Sequence, residues 1–259
     1  MLGFKLLAKI FIITVLFYIL FCLLLYFYQD KLIYYPTKDS FYSCNVFDGA
    51  EKIIYNGTRF YYKYNSEKVV VVYHGNAGSA CDRFFLKEFI EELNYSYIFV
   101  EYAGYAGDLR KPSKMLLLGD AENVNDFLKE KNFREKVLFG ESLGTGIAAY
   151  HSSLANADKL ILVAPFDSMK ILAADHYPFY PSFLIKENYD NLKYLENFNN
   201  SIIIIHGTND TIIPIKHSKI LFDNLKTKNK KFVEVRDACH NNLYQNKKVF
   251  ESIIEFLKD

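Results

Sequence analysis

A serine hydroxyl becomes a strong nucleophile only when a base takes its proton and an acid orients that base. The chain carries such a set in chain order. Ser142 lies in Gly140-Glu141-Ser142-Leu143-Gly144, a G-x-S-x-G pattern preceded by the strand-like run Lys136–Phe139 and followed by the small-residue helical run GIAAYHSSLA. A serine on a sharp strand-to-helix turn adopts strained backbone angles, so glycines on either side relieve collisions with neighbouring backbone. Asp210 follows the apolar run IIIIH within His206-Gly207-Thr208-Asn209-Asp210, and His240 follows a last strand-like run within Asp237-Ala238-Cys239-His240-Asn241. The expected roles are nucleophile for Ser142, general base and acid for His240, and orienter of the imidazole for Asp210.

Acyl transfer also needs donors for a developing oxyanion. His74-Gly75-Asn76-Ala77-Gly78 follows the run VVVVY, and the expected donors are the backbone amides of Asn76 and Leu143. Asp167, just beyond the strand-like Leu160–Pro165, is the rival acid, but the H-G-x-x-D setting favours Asp210. His206 reads as a packed, hydrogen-bonded residue, His151 and His217 as surface or capping groups, and Cys239 as a small buried residue. Asp237 reads as a loop residue.

These groups need a scaffold that brings strand ends together. Lys52–Tyr55 and Thr58–Tyr64 flank Asn56-Gly57, the chemistry of a tight hairpin. Val69–Tyr73 reads as a strand buried on both faces. Helical Cys81–Leu93, strand-like Tyr97–Glu101, and a helix opened by Pro112 and running to Lys131 follow. Further on come the strands Lys159–Val163, Ser201–Ile205 and Lys231–Val235, with helices at His217–Leu225 and Lys247–Lys258. Strands alternating with helices predict an α/β fold, a mostly parallel sheet covered on both faces with reactive groups at the strand C-terminal ends. Residues 167–200, rich in Tyr, Phe and Pro, are expected to form a small cap; an apolar wall for an acyl chain and a self-packed loop stay open as its roles.

The amino-terminal region reads differently. Ile10–Tyr28 contains no charged residue and matches the ~20 residues a helix needs to cross a hydrocarbon core. Bulky YFYQDKLIYYP follows in place of a cleavage site, so an uncleaved anchor within residues 6–28 is expected. The division is an anchor over 1–30 and a catalytic domain over 31–259. Lys5, Lys9 and the amino terminus precede the span, while Asp30 and Asp39 accompany Lys31 and Lys38 after it, which favours a cytoplasmic amino terminus. With 31 Lys+Arg against 30 Asp+Glu, nothing points to nucleic acid. The four cysteines show no metal-ligand or redox spacing. A Cys44–Cys81 bridge would need an oxidising compartment; reduced thiols are the reading adopted.

HGNAG, EYAGY, GESLGTG, HGTNDTIIPIKHS and the final H-N-N-L, with the apolar span followed by QDKLIYYP, resemble the membrane-anchored α/β-hydrolases related to the depalmitoylating hydrolases and their bacterial relatives. The resemblance runs along nearly the whole chain. It implies the α/β-hydrolase fold, hydrolysis of acyl esters or thioesters, and no cofactor or metal. It departs at Glu101-Tyr102-Ala103-Gly104-Tyr105-Ala106, where the family commonly has D-Y-R-G-Y-G, and this bears on substrate preference. The expected partner is an acyl ester or thioester, on a lipid or an acylated protein. A peptidase of the same fold and a non-catalytic binding protein are the alternatives.

Overall fold

The computed structural model describes residues 2–154 and 157–259, so Ala155, at the end of the expected GIAAYHSSLA helix, lies outside the described residues. In chain order the elements are α1 (Leu2–Ile33), β1 (Tyr35–Pro36), β2 (Glu51–Tyr55), β3 (Thr58–Lys63), β4 (Lys68–Tyr73), β5 (Ala77–Gly78), α2 (Leu86–Glu92), β6 (Ser96–Glu101) and α3 (Lys114–Lys129). Then follow β7 (Glu135–Glu141), α4 (Leu143–Leu154), β8 (Lys159–Val163), α5 (Met169–His176), α6 (Asn191–Tyr194), β9 (Ser201–Gly207), α7 (Ile215–Asn224), β10 (Lys230–Val235) and α8 (Lys247–Lys258).

Eight strands form one sheet in the order β10-β9-β8-β7-β4-β6-β3-β2. Only the pairings of β3 with β2 and β6 are antiparallel; the remaining five are parallel. The β2–β3 hairpin turns at Asn56 and Gly57, both with positive φ (49° and 84°), as a tight two-residue turn requires. On β4 the alternation is clean. Val69, Val71 and Tyr73 join the core layer under α3 and α4, whereas Val70 and Val72 join the layer under α2 and α8. Burying each such side chain contributes about 1.5–3 kcal/mol. On α8, Val249, Ile253, Phe256 and Leu257 supply a stripe at helical spacing to the second layer.

Several local expectations need correction. Pro112 does not open α3; Ser113 is its N-cap, with Oγ accepting from the Leu116 amide, and Pro112 sits just outside the helix. The Cys81–Leu93 stretch starts as a 3-10 turn over Ala80–Arg83 before α2 begins. Cys44 and Cys81 are joined in a disulfide across 37 residues rather than held as reduced thiols, because the Phe41–Ser43 turn packs beside the Ala80–Arg83 turn. Cys239 is exposed, not buried.

His151 and His217 are buried rather than on the surface. His151 Nδ1 lies 2.6 Å from Tyr73 Oη, and burial pulls its pKa down to about 3. His217 sits between Asp167 (3.1 Å) and Asp175 (2.9 Å), fastening α7 to the end of β8 and to α5. Both histidines lie on the inward stripe of their helices, where an imidazole needs and finds a polar partner.

α1 is long and apolar enough to cross a membrane. From Tyr18 onward it packs on the 167–200 segment. Tyr18 Oη donates to the Phe179 carbonyl (2.9 Å). Gln29 Nε2 donates to the Leu184 carbonyl (3.2 Å), and its Oε1 accepts from the Lys186 amide (2.8 Å). Just past the helix, Tyr34 Oη bonds Glu187 (2.6 Å) and Tyr189 (2.9 Å). The segment itself holds α5, a 3-10 turn over Ser182–Leu184, and α6.

Candidate active site

Ser142 is the single residue between β7 and α4, with φ of 52°. A left-handed backbone at a non-glycine residue costs of order 1–3 kcal/mol, so the surrounding contacts must hold it. They do: the Ser142 amide donates to the Val163 carbonyl (2.9 Å), and the Thr145 hydroxyl donates back to the Ser142 carbonyl (2.6 Å). The flanking glycines follow from close approach. A Cβ on Gly144 would stand 2.2 Å from the Tyr73 carbonyl oxygen, and one on Gly140 would stand 2.6 Å from the Gly144 carbonyl.

The structure brings Ser142, His240 and Asp210 together across 98 and 30 residues of sequence. His240 Nε2 is 3.0 Å from Ser142 Oγ, and His240 Nδ1 is 2.6 Å from Asp210 Oδ2. Asp210 Oδ1 accepts from the amides of Ile212 (2.9 Å) and Ile213 (2.8 Å). Burial alone would raise the Asp210 pKa. Hydrogen bonds from His206 and His240, the positive charge available to His240 and the Ile213 amide outweigh it and hold the carboxyl well below its usual range. An ionised Asp210 at Nδ1 selects the tautomer whose Nε2 faces the serine as an acceptor.

His206 is buried, as expected of a packed residue. Its Nε2 lies 2.8 Å from the Ile213 carbonyl and 3.2 Å from Asp210 Oδ2, so it buttresses the acid from behind. The rival acid is elsewhere. Asp167 is fully buried, accepts from the Ser168 amide (2.6 Å) and faces His217, with no contact to His240. Asp237 is an exposed loop residue with φ of 57°.

Asn76 and Leu143 line the same cavity as Ser142, a space of about 140 Å³ completed by Phe166, Met169, Leu172 and Ile213 and by Leu32 and Ile33 of α1. Leu143 is the first residue of α4, so its N–H has no partner within the helix and adds to the positive helix end. The Asn76 backbone is held through its carbonyl, which accepts from the Tyr35 amide (3.0 Å) and from Tyr105 Oη (2.7 Å). Its side chain donates to the Ile33 carbonyl (3.2 Å).

A second cavity, about 250 Å³, borders His240 and is the more polar of the two, with Arg83, Glu141, Asn241 and Tyr244 beside Phe85, Val163, Ala164 and Leu243 in its wall. Arg83 grips Glu141 through two parallel hydrogen bonds (2.7 and 2.8 Å), which braces the residue before the serine.

The Ala103 departure lies behind the site. Ala103 is fully buried and lines neither cavity; its amide donates to Asp120 (2.7 Å). From β3, Arg59 donates to the carbonyls of Ala106 (3.0 Å) and Tyr105 (2.5 Å) and so organises that loop. The loop in turn presents Tyr102 Oη to the His74 carbonyl (2.7 Å) and Tyr105 Oη to Asn76. Tyr102 and Tyr105 lie in the EYAGY run and Leu32 and Ile33 in QDKLIYYP, yet neither run marks a bracing or wall-forming role, and Arg59 carries no motif.

A family model described as the prolyl oligopeptidase family matches residues 162–259, the part that holds Asp210 and His240. An uncharacterised protein of Mycobacterium tuberculosis is 27% identical over 247 residues, covering 89% of this chain and 88% of the relative. The lysophosphatidylserine lipase ABHD12 of Xenopus tropicalis is 28% identical over 183 residues, 61% of this chain and 47% of that protein. Among solved structures, an esterase of Pyrococcus furiosus superposes with a TM-score of 0.67 at 15% identity, covering 87% of this chain and 97% of its own.

Proposed function

We propose that the chain, which has the α/β-hydrolase fold, is a membrane-anchored serine hydrolase that cleaves carboxylic esters or thioesters of acyl, lipid-like substrates through Ser142, His240 and Asp210. The observation that carries this reading is the continuous hydrogen-bonded chain from Ser142 Oγ through His240 to Asp210, opening on an apolar cavity that also holds Asn76 and Leu143. Ser142 attacks the acyl carbon while His240 takes its proton. The amides of Asn76 and Leu143 receive the oxyanion, each donor worth about 3–4 kcal/mol. His240 then protonates the leaving oxygen or sulfur, and water repeats the sequence on the acyl-enzyme.

The two cavities divide the substrate. The apolar one suits the acyl group, and the polar one beside His240 suits the leaving group, which must lie where the imidazolium can protonate it. The ABHD12 relative supports a lipid ester as substrate class. The match to the prolyl oligopeptidase family favours a peptidase as the second reading. Hydrolysis of p-nitrophenyl esters of graded acyl length, set against aminoacyl and prolyl amides, separates the two. Turnover of amides with none of esters would reverse the preference.

For topology, we infer an amino terminus in the cytoplasm and a catalytic domain across the membrane. The charge asymmetry around α1 supports this, as does the Cys44–Cys81 disulfide, a bond that persists in oxidising compartments.

A further inference from the structure

Three features of α1 and the cap point the same way. First, the face of α1 that touches the cap runs through Tyr18, Cys22, Leu25, Gln29 and Ile33, a stripe at helical spacing, with half-buried Tyr26 beside it under Lys186, whereas the rest of the uncharged run is exposed. Tyr18 lies ten positions inside Tyr28, about 15 Å along the helix, roughly half the depth of a hydrocarbon core. With α1 spanning a bilayer, a cap whose Phe179 carbonyl is bonded to Tyr18 would reach well below the headgroups.

Second, residues 177–185 of the cap read YPFYPSFLI, with no charge, and expose Phe179 (82%) and Phe183 (78%). The next residue, Lys186, lies 3.5 Å from Asp30, the first charge after the apolar run of α1, and Asp30 also binds Lys111. The uncharged parts of helix and cap thus end at one level, marked by an ion cluster suited to the membrane–water interface.

Third, a cavity of about 380 Å³ lies between α1 and α5, bounded by Leu25, Ala173 and Tyr180 among others. It shares Leu32, Ile33, Met169, Leu172 and Ile212 with the cavity at Ser142. The two volumes together fall within the ~300–1,000 Å³ of small-molecule sites.

Resting on the hydrolase reading above, we propose that the cap tip is immersed in the adjoining leaflet and that the acyl chain of a membrane lipid ester enters sideways between α1 and α5. The anchor is then a wall of the acyl site as well as a tether. An apolar chain passing from leaflet to channel never crosses water, which removes the cost of exposing its methylenes.

The test uses the full chain in phosphatidylcholine nanodiscs. The protein has no tryptophan, so Phe183→Trp adds a single reporter. Blue-shifted emission quenched by lipids brominated along the acyl chain is expected; water-like emission without quenching overturns the immersion. Ala173→Trp fills the cavity between α1 and α5. The ratio of kcat/KM for dodecanoyl over butyryl esters should fall at least about tenfold, with Ala173→Ser keeping the wild-type ratio. A ratio within about twofold of wild type in Ala173→Trp overturns the channel. A long-chain fluorophosphonate with a terminal diazirine, bound at Ser142, should crosslink to α1 or α5; crosslinks confined to the Arg83–Tyr244 side also overturn it. If no fluorophosphonate reacts with Ser142 in the folded wild type, the hydrolase reading itself fails and this inference falls with it.

Discussion

Ser142, His240 and Asp210 were legible because each sits in a short run whose composition demands a strand end followed by a tight turn. Their partners were not. Tyr102 reaches the His74 carbonyl from 28 residues away, and Arg59 reaches Ala106 from 47. Nothing local marks a residue that acts only by bracing another carbonyl. The choice between Asp210 and Asp167 makes a sharp prediction. Asp210→Asn should lower kcat by about 10⁴-fold, since the amide would favour the wrong imidazole tautomer. Asp167→Asn should lower the unfolding midpoint, through its buried contact with His217, and leave kcat per active site within a few-fold. Burst titration supplies the active-site count; the reverse pattern would transfer the acid role to Asp167. Gly144→Ala should abolish stable folding or activity, because its Cβ would overlap a β4 carbonyl.

At the scale of elements, the sheet was readable from alternating apolar runs, and the limits of the expected strands moved by at most two residues, as at Glu141 and Gly207. Helical faces were harder. His151 and His217 looked like surface groups because a polar residue on a short helix gives no sign of which neighbour will cover it. The disulfide was equally hidden, since a separation of 37 residues carries no pairing signal. It joins two short turns near the Asn76 loop, and chain-entropy reasoning gives it up to about 4 kcal/mol. Cys44→Ser should lower the unfolding midpoint, and wild type in reductant should match it; a midpoint indifferent to both would remove the bond from the account.

Asp120, on α3, offers a pH test at the same scale. Burial raises its pKa from 3.8 to about 6, partly offset by hydrogen bonds from Thr58 and the Ala103 amide. The folded state then binds more protons than the unfolded chain between these values. Its contribution is fully present below about pH 4 and is lost as pH rises through about 6, amounting to up to about 3 kcal/mol. Asp120→Asn should flatten the unfolding midpoint over this range relative to wild type. An unchanged slope would show that Asp120 titrates alike in both states.

For the whole molecule, α1 is long and apolar enough for a membrane span, as its composition suggested, but its proposed second role beside the acyl site was not legible. Composition alone gives every residue of such a run the same meaning, whereas in the fold Leu25 borders the cavity beside α5 and Tyr18 bonds to the cap. The proposed orientation rests on the charges and the disulfide together. Alkaline phosphatase fused after Asp259 should be active and a cytoplasmic reporter silent; the opposite result would invert the topology and place Cys44 and Cys81 in a reducing compartment.

Whether Ser142 is an activated nucleophile is read out by covalent labelling of the full-length protein with a fluorophosphonate, the modified peptide being identified by mass spectrometry. One label per chain is expected on Ser142, none in Ser142→Ala of matching unfolding midpoint, and greatly slowed labelling in His240→Ala. A folded wild-type protein that takes no label, or takes it on another residue while Ser142→Ala labels equally, would contradict the assignment of Ser142 as nucleophile.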